Sequence, residues 1–265
     1  FGDLYYDSPT GCWAICSGNI QIAEEIDPSE TDDDYPQKLF GAKTYSGSDG
    51  TQTISGVGFQ PDFTWIKNKG ATADNVLMDS TRGAYASNDY YYARSNTTAA
   101  QDHTTDFHNF ASDGFIVSGT GTYFNASGNT FVGWNWRANG GSTSTNTQGS
   151  EDSTVQVDPS GGFSIVTYTG TQSNATIGHG LSSAPKCILV KCRDFDRNWA
   201  GLFVNGPGNG TSMILNSNSY DTSSGYWNNT NPTSTVFSIG GGTETNKSGK
   251  LFVAYCFANT EGYIK

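Results

Sequence analysis

Apolar residues fall in short runs along this chain, and Gly, Asn, Asp and Pro separate the runs. Phe63-Thr64-Trp65-Ile66-Lys67, Phe115-Ile116-Val117, Phe163-Ser164-Ile165-Val166-Thr167-Tyr168, Cys187-Ile188-Leu189-Val190 and Leu251-Phe252-Val253-Ala254-Tyr255 all have strand length. β-Branched and aromatic residues dominate them, as a pleated, half-buried surface favours. No segment sustains the 3.6-residue period of a helix. Several runs lack a clean polar face, which suits strands covered on both sides. Asp113-Gly114 signals a turn before Phe115, and Pro159 opens another after Val157. Pro61 and Pro185 stand just before apolar strands, where a missing N–H does least harm.

The order of these runs repeats. Thr44-Tyr45-Ser46-Gly47 leads through Ile54, Gly58 and Pro61 to Phe63-Thr64-Trp65-Ile66-Lys67, and Thr167-Tyr168-Thr169-Gly170 leads through Ile177, Gly180 and Pro185 to Cys187-Ile188-Leu189-Val190-Lys191. Phe131-Val132-Gly133-Trp134 then parallels Phe252-Val253-Ala254-Tyr255. An offset of roughly 120 residues is domain-sized and too long for a solenoid period. The reading is an all-β chain of two tandem homologous β-sandwich, jelly-roll-like domains, residues 38–140 and 141–265, after an extended N-terminal arm and acidic linker, residues 1–37. Ile54, Phe63, Trp65, Phe115, Val132 and Trp134 are expected in the first core. Ile165, Ile177, Ile188, Val190, Val253 and Tyr255 are expected in the second. Residues 21–37, rich in Asp and Glu, and 139–152, rich in Gly, Ser, Thr and Asn, read as linkers.

Composition narrows the classes of function. The chain has 265 residues and a net charge of −11, so it lacks the basic stripe a nucleic-acid binder needs. No apolar run is long enough to span a bilayer as a helix, and membrane insertion is not expected. Cys12, Cys16, Cys187, Cys192 and Cys256 cannot all pair within one chain, and buried free thiols are favoured over disulfides. The chain opens on Phe1 without an initiating Met or signal peptide, which reads as a processed product or a piece of a longer polypeptide.

Candidate chemistry is sparse. No nucleophile elbow, zinc-protease or phosphate-loop motif is present, so no catalytic residue, cofactor or metal ligand is assigned. The acidic linker lacks the spacing and central Gly of a calcium loop. His103 and His108, near Asp102 and Asp106, are too irregularly spaced for a metal pair. Asp62, Asp79, Asp194 and Asp196 are the carboxylates a glycosidase reading would use, but Asp79 is expected to pair with Arg82 in a turn. Asn96, Asn125, Asn174, Asn209, Asn228 and Asn246 lie in glycosylation sequons, which chance alone explains in so Asn-, Ser- and Thr-rich a chain. Tyr90, Tyr91, Tyr92, Tyr226 and Trp227 sit in polar contexts that suggest exposed rings. Such rings stack on sugars or pack against a neighbouring subunit. In the arm, Leu4, Tyr5, Tyr6, Trp13 and Ile15 are strand-like and apolar, and an unpaired apolar strand recruits another chain. They are assigned to contacts between copies in a homo-oligomer.

The strings GFQPDFTWIKNK, LMDSTRG and GNTFVGWNWRANGG resemble the first domain of a tandem module found in large virion proteins of marine tailed phages. GFSIVTYTGTQSNATIGHGLSSAPKCILVKCRD, WNNTNPTSTVFSIG and LFVAYCFANTEGY resemble the second. The likeness covers nearly the whole chain from about Phe40 onward. The stub FGDLYYDSPTGCWAICSGNI resembles the end of the SPRY-like sandwich that often precedes the module. The resemblance implies a structural subunit of a phage fibre or virion-surface appendage and names no site. The expectation is therefore a non-enzymatic, virion-surface or extracellular protein. Its expected partners are its own copies, other virion or filament proteins and host-surface glycans. A subunit of a cell-surface or extracellular filament and a polysaccharide-active enzyme are the alternatives.

Overall fold

The computed structural model describes residues 39–158, 162–204 and 211–259. The arm residues Leu4, Tyr5, Tyr6, Trp13 and Ile15, Cys12, Cys16 and the acidic linker lie outside the described residues. The first half carries β1 (Phe40–Ser46), β2 (Gln52–Ser55), β3 (Phe63–Asn68), β4 (Val76–Asp79), β5 (Ala84–Ala86), β6 (Asp89–Arg94), β7 (Asp102–Thr104), β8 (Phe107–Ala111), β9 (Gly114–Val117) and β10 (Thr130–Trp136). The second carries β11 (Ser144–Asn146), β12 (Ser153–Val157), β13 (Phe163–Thr169), β14 (Ala175–Gly178), β15 (Pro185–Cys192), β16 (Ala200–Phe203), β17 (Ser212–Ile214), β18 (Tyr220–Asp221), β19 (Val236–Ile239) and β20 (Leu251–Ala258), with two four-residue helices, α1 (Ser224–Trp227) and α2 (Thr243–Asn246). The fold is all-β, and its named strands pair antiparallel.

Two large sheets dominate. One runs β1-β10-β3-β4-β6-β5 with β7 on β6, and the other runs β11-β12-β13-β20-β15-β16-β17-β18. Each is backed by a small sheet, β2-β9-β8 in the first half and β14-β19 in the second. Period-2 alternation sends the two faces of each large sheet into different cores. On β3, Ile66 packs toward the small sheet with Phe107, Phe115 and Phe131. Phe63 and Trp65 turn to the other face, against Phe163, Tyr255 and Trp199 of the second half. On β20, Phe252, Ala254 and Cys256 join Ile177, Phe237 and Ile239, while Val253 and Tyr255 face the first half. The result is four layers: small sheet, large sheet, large sheet, small sheet. Strands with both faces buried lack a polar face, which explains the missing alternation in the sequence.

This corrects the expected cores. Phe63, Ile165, Val253 and Tyr255 belong to the core shared between the halves. On β10 the buried ring is Phe131, while Val132 and Trp134 are only half-buried on the opposite face. Residues 139–152 are not a free linker either. Ser144–Asn146 pairs with β12, and the N–H groups of Gly140 and Gly141 donate to Asp62 at 2.9 and 2.8 Å. Cys187, Cys192 and Cys256 are free thiols, as packing favours.

The repeat seen in the sequence returns as shared hydrogen bonds. The Tyr45 hydroxyl donates to Phe124 O, and the Tyr168 hydroxyl donates to Thr245 O, both at 2.7 Å. Tyr45 stacks on Phe131 at 5.0 Å, and Tyr168 stacks on Phe252 at 5.2 Å. Buried Asn125 accepts from Ser48 N and donates to Gly50 O and Gly119 O. Buried Asn246 does the same with Thr171 N, Ser173 O and Gly240 O. These side chains hold turns together, so the sequons at Asn125 and Asn246 are inaccessible in the folded state. Gly47 and Gly170 are required beside them, because a Cβ would lie 2.1 Å from Ala126 O and 2.3 Å from Lys247 O.

The repeated lysine has a positioning role in both halves. Lys67 Nζ donates to Ala73 O at 2.9 Å. Lys191 Nζ, fully buried, donates to Arg197 O and reaches across to Thr98 O at 2.8 Å. Burial lowers the Lys191 pKa to about 8. Between that value and the unfolded one, the unfolded chain holds more protons, so this group makes stability rise with pH. Cys187, Cys192 and Cys256, whose pKa values burial raises, act in the opposite sense. Cys187 and Cys256 contribute alike in wild type and variant, while Cys192, whose pKa the Lys191 charge lowers, rises further when the lysine is removed. Urea unfolding of wild type and Lys191→Met at pH 7.5 and 9.5 reads the lysine together with its effect on Cys192. The wild type should gain on the order of 1–2 kcal/mol relative to the variant over that interval. An unchanged difference would mean that Lys191 titrates normally.

Candidate functional site

The three tyrosines on β6 divide by strand alternation. Tyr90 and Tyr92 face the small sheet, and Tyr91 faces the other way. Tyr90 is half-buried, packs edge-on against Phe107 at 5.5 Å, and donates to Asn109 Oδ1 at 2.8 Å. Tyr92 is buried apart from its hydroxyl end, which approaches Asp102 Oδ2 at 3.3 Å. Tyr226 and Trp227 are not exposed rings. Both are buried in the second-half core, where α1 presents them against the small sheet. The sequence suggested exposure because their neighbours are Ser, Gly, Asn and Thr, but those residues cap and terminate a one-turn helix.

Tyr92 opens onto a cleft of about 480 Å³, lined also by Thr72, Thr104, Asp106, Gly121, Thr122, Tyr123 and Phe124. Tyr123 is half-buried, 6.4 Å from Tyr92. Arg94 lies over both rings, 4.9 Å from the centre of Tyr92 and 5.8 Å from that of Tyr123. Its guanidinium is held by Asp102 at 3.3 Å and Asp74 at 3.6 Å. The ring pair is therefore fixed by a cation that is itself neutralised, which restricts the rotamers of both tyrosines.

Asp106 supplies the polar side. It sits in the turn between β7 and β8, where its N–H donates to Thr104 Oγ1 at 3.0 Å and its carbonyl accepts from Ser118 N at 2.8 Å. The carboxylate lies against the 119–121 backbone. A Cβ would fall 2.2 Å from Oδ1 at Gly119 and 1.9 Å from Oδ2 at Gly121, so both glycines are needed for this approach. Burial raises the Asp106 pKa, with Thr104 and His108 opposing the shift. A desolvated carboxylate beside tyrosine faces and threonine hydroxyls is equipped to accept hydrogen bonds from a polyol.

The other carboxylates raised by the sequence are engaged elsewhere. Asp62 accepts from Ser80, Ala138, Gly140, Gly141 and Gln156 at 2.6–2.9 Å. Asp79 accepts from Arg82 and Tyr255, as a structural turn requires. Asp194 and Asp196 accept backbone N–H groups of Leu251 and Ala100. His103 bonds Asp89 at 2.9 Å and stacks on Tyr85 at 3.9 Å. Among the described residues no group of three His, Cys, Asp or Glu side chains is placed to hold a metal ion, and no helix is long and apolar enough to cross a membrane.

A family model, a domain of unknown function designated DUF7483, matches residues 35–265. The chain belongs to this family. No curated protein and no solved structure matches it. The DUF7483 match spans both large sheets and the core between them, so the four-layer stack described above falls within a single family unit. Asp106 and Tyr123 of this DUF7483 chain were not singled out as saccharide contacts from sequence. The available signal was Gly119-Thr120-Gly121-Thr122-Tyr123, in which closely spaced glycines precede an aromatic residue. Those glycines now read as the space made for the carboxylate.

Proposed function

We propose that this chain is a non-enzymatic structural module of a virion-surface or other extracellular appendage, and that it contacts surface saccharides. The tailed-phage setting comes from the sequence resemblance. The cleft of Tyr92, Tyr123 and Asp106 is the observation that carries the binding role. In the finer reading of the fold, two homologous jelly-roll-like sandwiches arose in tandem and joined back to back. The matched Tyr–Asn–Gly hydrogen bonds of the two halves support that reading. A stiff four-layer stack suits a load-bearing spacer. In the same reading the N-terminal arm links copies into a homo-oligomer.

Titration of the intact chain with neutral oligosaccharides of glucose, galactose and N-acetylglucosamine, followed by NMR, tests the site. At least one series should perturb the Tyr92, Thr104 and Thr122 signals. Tyr123→Ala and Asp106→Asn should each weaken that binding about tenfold, the scale of losing one anchoring contact. Perturbations elsewhere, or binding unaltered by both substitutions, would remove the cleft from the function. Immunogold labelling separates the two structural settings: virion particles for a phage appendage, the cell surface for a filament.

A further inference from the structure

On the face of the second large sheet that is turned toward the first half, beyond the shared core, two cross-strand rows lie side by side. Register places Thr145 opposite Thr154, and Thr154 opposite Thr167. The next row holds Thr169 opposite Leu251, whose carbonyl accepts from Arg193 N at 2.7 Å. With Asp152 these side chains line an open groove of about 270 Å³. The hydroxyls of Thr145, Thr154, Thr167 and Thr169 make no hydrogen bond within the described residues. They are set at the strand spacing of roughly 4.8 Å, comparable to the length of one pyranose unit.

Arg193 closes the groove at the junction of the halves. Its Nε donates to Gln101 Oε1 at 3.1 Å, and its guanidinium stands 6.0 Å from the centre of the Tyr91 ring. Tyr91 is itself held edge-on by Tyr85 at 5.6 Å. Unlike Arg82 and Arg94, Arg193 makes no ion pair with a carboxylate among the described residues. It is half-buried, so its charge is partly desolvated, and the nearby Asp79 charge is opposed by that of Arg82. The adjoining loop is also cationic: Arg197, Lys247 and Lys250 gather around the Phe195 ring at 4.5, 4.8 and 5.8 Å. Asp194 offsets Lys250 at 3.6 Å, and Asp196 caps Ala100 N. On a chain of net charge −11, this end of the sheet gathers four cationic side chains, Arg193, Arg197, Lys247 and Lys250, which attract an anion.

We propose that this groove is a second binding site, for an acidic saccharide chain, chemically distinct from the Tyr92–Tyr123 cleft. The acidic group pairs with Arg193, whose planar fork suits a carboxylate or a sulfate. A sugar face rests on Tyr91 and Leu251, and successive hydroxyls meet Thr167, Thr154, Thr145 and Asp152. The site is built from both halves, since Tyr91 and Gln101 come from the first and the threonines and Arg193 from the second.

Calorimetry on the intact chain with tetragalacturonate, a heparin-derived tetrasaccharide and maltotetraose tests this. One of the two acidic probes should bind, and which one does so distinguishes carboxylate from sulfate recognition. Maltotetraose should not displace it. Arg193→Gln should weaken the acidic probe about tenfold, the scale of one charge-assisted pair, and Tyr123→Ala should leave it unchanged. Should Arg193→Gln fail to fold, the double variant Thr154→Val/Thr167→Val, at one exposed and one half-buried position, should weaken the same probe about fivefold. The proposal is overturned if neither acidic probe binds, if folded Arg193→Gln or the threonine pair binds as wild type does, or if maltotetraose competes equally. Loss of acidic binding in Tyr123→Ala would also overturn it, by placing the ligand in the first cleft.

Discussion

Replacing Asp79 with alanine should destabilise the fold by about 3–5 kcal/mol, because it leaves the Arg82 guanidinium buried without its counter-charge. Both side chains have no exposure, and the carboxylate accepts from Arg82 Nε at 2.5 Å, from Arg82 N at 2.7 Å and from the Tyr255 hydroxyl at 2.7 Å. Arg82 in turn donates to Leu77 O at 2.9 Å. Tyr255 belongs to β20 of the second half, and burial raises its pKa, so it remains a phenol donor through neutral and mildly alkaline pH. The pair therefore fixes how one large sheet meets the other. Arg82→Met should cost a similar amount by orphaning the carboxylate. The double variant Asp79→Leu/Arg82→Met should recover most of the loss, since a buried ion pair contributes little net stability over a well-packed apolar replacement. Urea denaturation reads all three. A loss under about 1 kcal/mol in both single variants would mean that water reaches this network.

That ion pair was legible in the sequence, because Asp79-Ser80-Thr81-Arg82-Gly83 is a local turn and local geometry follows from residue spacing. Its partner Tyr255, far along the chain, was not. The same divide runs through the fold. The strand runs, the repeat and the all-β class follow from local pattern. The four-layer arrangement does not, because an apolar residue on a strand buried on both faces says only that it is covered and not by which sheet. Trp65 and Trp134 were expected in the core of the first domain, as members of its apolar strands. The structure leaves them half-buried, 6.4 Å apart, on the face turned toward the second half. For the candidate sites, Tyr91 and Tyr92 were visible as rings in a polar stretch. Strand alternation then sends them to opposite faces and different grooves. Arg193 and the threonine rows were invisible as a site, since threonine is ordinary in strands and only the register sets Thr145, Thr154 and Thr167 in one row beside Thr169.

Trp199→Ala should produce a loss of about 3–5 kcal/mol, with the damage shared by both halves. Trp199 is fully buried in the core between the large sheets, stacked near Tyr255 at 6.3 Å, and its Nε1 donates to Arg94 O of the first half at 2.7 Å. Truncation leaves a cavity on one side and an unsatisfied carbonyl on the other. Trp199→Phe separates these, retaining most of the packing while orphaning Arg94 O, and should cost about 1–3 kcal/mol. Because one core serves both large sheets, the halves should unfold in a single transition rather than one after the other. Hydrogen exchange reads this directly. In Trp199→Ala, amide protection in β3 and β10 of the first half should fall in step with that in β15 and β20 of the second. The buried Trp227 offers the contrast: it packs in the second-half core, and its Nε1 has no partner among the described residues. Trp227→Ala removes a ring from a core that the first half does not share. If Trp199→Ala lowered protection in the second half alone, the halves would be separate folding units that merely touch, and the shared core would not be what makes this chain one body.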